Sequence, residues 1–137
     1  MTTDLIFQML LFAVLGLGLE VVFTGILDSR RSNSRHFIGY SSLWYLPLYS
    51  ISPIFLHLAG ASLFALPVVI RGLIYMTAIF AVEYAGMLCL RKLLSSSPSE
   101  VAYYQSRWNI HGLIRLDFAP AMFLMGLFFE FIYRRIN

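Results

Sequence analysis

The chain is short of charge and of cysteine, and both shortages narrow what it can be. Only 12% of its 137 residues are charged, while 59% are hydrophobic and 16% aromatic. A soluble domain carries about twice that share of charge, so this composition, with a mean hydropathy of +0.75, predicts an integral membrane protein. One cysteine, Cys89, excludes an internal disulfide. Its place within an apolar run predicts a packing role. Ahead of the first apolar run stands one charge, Asp4, and it is acidic. A secretory leader begins with basic residues, and Glu20 interrupts the run, so the segment reads as a retained transmembrane helix. No G-x-x-x-x-G-K-[ST] is present, which excludes the ATPase part of a pump. H-E-x-x-H, E-x-x-H, C-x-x-C and G-x-S-x-G are also missing, which leaves the commonest zinc, redox and serine-nucleophile chemistries without support. No cofactor is expected, and the question of a metal stays open.

What is present is a series of apolar stretches of bilayer-spanning length. The expected fold is all-α and integral to the membrane, a single polytopic domain over residues 1–137. It is a four-helix transmembrane bundle with spans near residues 5–27, 52–69, 73–90 and 118–133. The first span carries Gly16, Glu20, Thr24 and Asp28 at every fourth position, a polar stripe that faces protein or water. Between the first and second spans, Tyr40, Trp44, Tyr45, Pro47 and Tyr49 suit neither a straight helix nor a strand and predict an aromatic interfacial or re-entrant element. Ser52 and Pro53 read as N-cap and first residue of the second helix. Arg71 and Gly72 read as a tight turn into the third. Ser97, Pro98 and Glu100 match a capping box, which predicts a short surface helix over residues 98–105 between helices 3 and 4.

The stretch WNIHGLIRLDFAPAMFLMGLFFE passes from a polar, aromatic run into an apolar helix that ends on Glu130. It reads as a membrane entry, with Asp117 as N-cap and Pro120 tolerated in the first turn. WNIHGLIRLDFAP, together with GYSSLWYLPLY and VEYAGMLCLRK upstream, resembles the transmembrane protein 229 family and its bacterial relatives, which are described as type IV ABC-transporter components. The resemblance implies a membrane protein connected with transport and assigns no catalytic residue. A glycine stands four residues before a glutamate twice, at Gly16 and Glu20 and at Gly126 and Glu130.

The net charge of +3 lies in loops beside apolar segments, a sign of topology and anionic lipid contact rather than of nucleic acid binding. Arg30, Arg31 and Arg35 follow the first span, and Arg91, Lys92, Arg107 and Arg115 follow the third. By the positive-inside rule both larger basic loops are cytoplasmic and both termini lie opposite. A carboxylate in hydrocarbon must be paired, solvated or protonated. Glu20, Glu83 and His57 are therefore the candidate ion or proton site, with Glu20 and Glu83 expected to share one environment. The other reading makes Glu20 and Glu83 carboxylates bonded to Ser, Tyr or Trp of the aromatic block between the first two spans, fixing helix order, and His57 a bonded interior residue. Trp108, His111 and Arg115 are candidates for a lipid headgroup. Asp117, Glu130 and Arg71 are read as structural polar residues, with Glu130 paired to Arg134 and Asp117 to Arg115. Small residues (Ala59, Gly60, Ala61; Ala78, Ala81, Ala85) predict a homo-oligomer or a membrane-protein partner. Three functions stay open: a proton- or cation-linked transporter or channel component, a non-catalytic subunit or scaffold docking another membrane protein, and a lipid-modifying enzyme.

Overall fold

A computed structural model describes residues 2–137. Apart from one short hairpin, the regular elements among the described residues are helical. Four stretches are long and apolar enough to cross a membrane: Asp4–Ser32, Tyr45–Leu63, Val68–Leu94 and Leu116–Ile136. The chain divides into two compact units, Met1–Phe55 and Leu56–Asn137.

In the first unit, α1 (Thr2–Ser32) is one uninterrupted helix of 31 residues, about 46 Å long. Arg30 and Arg31 lie in its last turn, where positive charge suits the helix dipole. It ends as Asn33 takes φ 50°, a left-handed stop. The chain then turns back along α1 as a non-helical strap, residues 35–44. Two glycines make that return possible. A Cβ on Gly39 would stand 2.0 Å from the Val21 carbonyl oxygen, and one on Gly25 would stand 2.8 Å from that of Phe37. Thr24 fastens the strap: its hydroxyl accepts the Tyr40 N–H at 2.9 Å and lies 2.9 Å from the Tyr40 carbonyl oxygen, to which it can donate.

The strap runs into α2 (Tyr45–Ser50), which packs on α1, and α3 (Ser52–Leu63) follows after Ile51. The second apolar stretch therefore begins at Tyr45 and not at Ser52. The irregularity at Ile51 has a local cause. Pro53 has no N–H to give the Tyr49 carbonyl, which takes the Ile51 N–H instead.

In the second unit, residues 64–67 join α3 to α4 (Val68–Leu94). Arg71 and Gly72 thus lie inside a helix and not in a turn. The break falls earlier because Pro67 disfavours helical backbone at Leu66 and itself holds the N-cap position at φ −56°, ψ 146°. α4 packs against α6 (Ala119–Ile136). Close approach is made at two glycines, Gly72 beneath the Phe123 ring and Gly126 beneath Tyr75.

Between α4 and α6 lie α5 (Glu100–Tyr104), a hairpin of β1 (Asn109–Ile110) and β2 (Ile114–Arg115), and a 3-10 turn, Leu116–Phe118. Glu100 accepts the Ser97 N–H at 2.8 Å, which is half of a capping box. The reciprocal half does not form, since the buried Ser97 Oγ has no partner among the described residues, and the helix starts at Glu100. The hairpin turns through His111 (φ 54°) and Gly112 (φ 68°), closed by the Leu113 N–H on the Ile110 carbonyl at 2.9 Å. Two successive positive φ values are the mark of a type I′ turn. Asp117 is not the cap of α6. That position belongs to Phe118, because Arg115 engages the Asp117 carboxylate.

Candidate functional site

Glu20 lies on α1 opposite the strap. Its Oε2 accepts two hydroxyls, Ser41 Oγ at 2.9 Å and Tyr49 OH at 3.1 Å. The Tyr49 ring reaches it by lying across Gly16, where a Cβ would stand 2.1 Å from the ring. Among the described residues of its unit, no Arg, Lys or His forms an ion pair with Glu20, and its Oε1 accepts no hydrogen bond.

Glu130 has the same seat on α6 with different company. A Cβ on Gly126 would stand 2.3 Å from Tyr75 Cβ, and Tyr75 OH donates to Glu130 Oε2 at 2.9 Å. Arg71 Nε donates to the same oxygen at 2.8 Å, with side-chain exposures of 12% for the arginine and 4% for the glutamate. Arg134 Nη1 reaches Oε1 at 3.3 Å from a more exposed position. Arg71 also donates through Nη1 to the Leu66 carbonyl at 2.6 Å, which ties the start of α4 to the preceding turn. The expected Glu130–Arg134 pair is present, but the buried partner is Arg71.

Glu83 is buried on α4, and Tyr103 OH of α5 donates to its Oε1 at 2.8 Å. His57 lies elsewhere in that unit: its exposed ring places Nδ1 3.3 Å from Tyr133 OH. The tyrosine also stacks at a tilt on Phe64, over which Arg134 sits.

The three headgroup candidates are not equivalent. Arg115 is buried and held in bidentate fashion by Asp117, Nη2–Oδ2 at 2.5 Å and Nε–Oδ1 at 3.1 Å, with its guanidinium 4.2 Å from the Phe118 ring centre. That geometry leaves it committed within the chain. Trp108 is exposed beneath Arg107. His111 is exposed, with Nδ1 2.9 Å from Tyr84 OH. Its carbonyl accepts Arg91 Nη2 and, at 3.0 Å, Tyr104 OH.

Outside the four apolar stretches, Glu100 is held below the usual carboxyl range, first by the Ser97 N–H and further by Arg91 at 3.1 Å. Cys89 is exposed on α4 and not packed inside the chain. Ala61, Ala81 and Ala85 are exposed as well. Among the described residues no group of three or more His, Cys, Asp or Glu is placed to hold a metal ion.

The sequence offers Ser and Tyr of the aromatic block as candidate partners of Glu20, and Ser41 and Tyr49 are such residues. Tyr75 for Glu130 and Tyr103 for Glu83 lie outside that block and were not expected. The recurring Gly-x-x-x-Glu spacing was the available signal. Its meaning is steric, since the glycine clears one helical turn for an aromatic ring. No family model, no curated protein and no solved structure matches the chain.

Proposed function

We propose that the protein is a multi-pass membrane protein acting as a proton- or cation-linked transporter or channel component, with Glu20 as the group that takes up and releases the ion. One observation carries this reading: Glu20 stands in an apolar helix with neutral hydroxyls as its bonded partners and one oxygen uncommitted. Inserting a bare carboxylate costs about 3 kcal/mol on insertion scales and more in simulation. Hydroxyl donors lower that cost without cancelling the charge, so a proton or small cation is the natural complement. Glu130 already has guanidinium groups for that purpose and is structural in this reading.

The residues 35–44 are the re-entrant element of the proposal, and α5 with its hairpin lies along the membrane surface. The basic loops face the cytoplasm and the termini face away, as charge placement favours. Membrane lipid covers the apolar faces, and a second copy or another membrane protein covers Ala81 and Ala85. Kinship with the transmembrane protein 229 family, suggested by the three sequence blocks alone, is part of the same proposal.

The test is ion flux into liposomes carrying the purified protein, with an internal pH dye and imposed H+, Na+ or K+ gradients. Glu20→Gln, folded and inserted, should abolish a flux that the unaltered protein supports. Equal flux from both proteins would sink the assignment of Glu20. No flux from either would leave the docking subunit as the better reading.

A further inference from the structure

The strap has more backbone polar groups than partners. Among the described residues, the N–H groups of Phe37, Ile38, Gly39, Ser41, Ser42 and Leu43 have no hydrogen-bond acceptor. Tyr40 alone is bonded to α1 through its backbone, at Thr24. Phe37, Ile38, Tyr40, Ser41 and Leu43 are also exposed, so the strap is not buried within protein.

Yet it follows α1 into the apolar part of that helix. Gly39 rests on Val21 and Ser41 reaches Glu20, whereas the apolar sequence of α1 continues to Leu27, about 10 Å further along the axis. Each backbone amide left without a partner in hydrocarbon costs several kcal/mol. Non-helical backbone is tolerated at such depth only where it is packed in protein or lines a water-filled space.

The hairpin of the second unit shows the dry alternative. It also folds back along the helix before it, since His111 meets Tyr84, but its backbone is largely satisfied. The strands pair, Gly112 N–H is taken by Asn109 Oδ1 at 2.9 Å, Leu116 N–H by the Trp108 carbonyl at 3.0 Å, and the His111 carbonyl by Arg91 and Tyr104.

We infer that water follows the strap from the Arg30 and Arg31 end of α1 down to Glu20, in a vestibule walled by the strap's N–H groups and by Ser41. Small water-soluble species thereby reach Glu20 from that one side. The inference deepens the proposed function and rests on its placing of α1 in the membrane, but it is tested without flux.

With Cys89→Ser as background, single cysteines are placed at Ser42 in the strap, at Ser32 at the end of α1, and at Val14, an exposed position on α1 beyond Glu20. Labelling by a membrane-impermeant methanethiosulfonate is then timed in proteoliposomes. Hydrated backbone at the strap predicts that Ser42→Cys reacts within about tenfold of Ser32→Cys and from the same side, with Val14→Cys about a hundredfold slower. Ser42→Cys as slow as Val14→Cys, with Leu43→Cys slow as well, would overturn the vestibule. Fast labelling combined with unchanged flux in Glu20→Gln would keep the vestibule and reject the transport role. Slow labelling combined with lost flux would do the reverse.

Discussion

In each unit a glycine one turn before a glutamate makes room for a tyrosine whose hydroxyl reaches the carboxylate: Tyr49 across Gly16 to Glu20, and Tyr75 across Gly126 to Glu130. The steric device is shared, and the charges around it are not. Glu130 meets Arg71 and Arg134, so its charge is balanced within the unit and its bonds join α4 to α6. Glu20 meets hydroxyls on a strap and on a six-residue helix. A closed ion pair holds structure, whereas a carboxylate with neutral donors can exchange its counter-charge. The cation beside the seat, not the seat, separates the two sites.

The largest expected break in this comparison comes from Arg71→Met. It leaves the buried carboxylate with only the more exposed Arg134 as cation and should lower stability by about 3 kcal/mol, the low end for a broken buried pair, read from denaturant unfolding in detergent. Arg71→Met with Glu130→Gln should recover part of that loss, because the buried charge is gone. Glu20→Gln should cost only about 1 kcal/mol, since an amide oxygen still accepts both hydroxyls. Equal losses for Arg71→Met and Glu20→Gln would erase the distinction between the sites.

The glycines should differ next. At Gly126 the obstacle is Tyr75 Cβ, fixed to the α4 backbone, whereas at Gly16 it is the Tyr49 ring, which can swing aside. Gly126→Ala should therefore cost about 1–3 kcal/mol by overpacking. Gly16→Ala should cost less in stability but should displace the Tyr49 hydroxyl from Glu20. Tyrosine absorbance and fluorescence in the two variants would check this.

Tyr49→Phe sharpens the comparison by reporting the charge of Glu20. Losing a hydroxyl bonded to a carboxylate costs about 1.5–3 kcal/mol, and to a neutral acid about 0.5–1.5 kcal/mol. The lower figure is expected if Glu20 is protonated in the resting protein. Tyr75→Phe, which removes a hydroxyl from the arginine-paired Glu130, is the reference at the higher figure.

The smallest effect concerns Glu100, a carboxylate outside the apolar stretches that is paired with Arg91. Its folded value is depressed, so its contribution is complete above the ordinary value of 4.5 and is lost as the pH falls below that toward the depressed one. Amide exchange in residues 97–104 should quicken on acidification through that window, while α6 amides stay protected. Uniform quickening would show that the segment does not open by itself.

The apolar stretches were legible because hydropathy adds up along contiguous residues, and the extra polar spacing on α1 was legible for the same reason. Boundaries were read less well. Ser52 with Pro53 looked like a helix start, but α2 had already begun at Tyr45, and Pro53 merely removed one bond from a continuing path. Arg71 and Gly72 looked like a turn because their polarity interrupts an apolar run, whereas Pro67 controlled the backbone. The hairpin left one faint trace, a Gly after His111 where a type I′ turn needs positive φ. Two strands of two residues each have no periodicity to detect.

By itself the sequence determined that long apolar helices form, that basic residues gather at and beyond the ends of α1 and α4, and that Glu20, Glu83 and Glu130 fall within apolar segments. Each of these depends on local composition and so survives any packing of the helices. Only the tertiary structure decided which partner each carboxylate received. Arg71, Tyr75, Tyr49 and Tyr103 come from other segments, and a hydrogen bond forms only where the fold brings donor and acceptor within about 3 Å. The strap's unmet backbone groups likewise became visible only once its path along α1 was known, because whether an amide finds a partner is a property of its surroundings and not of its residue type.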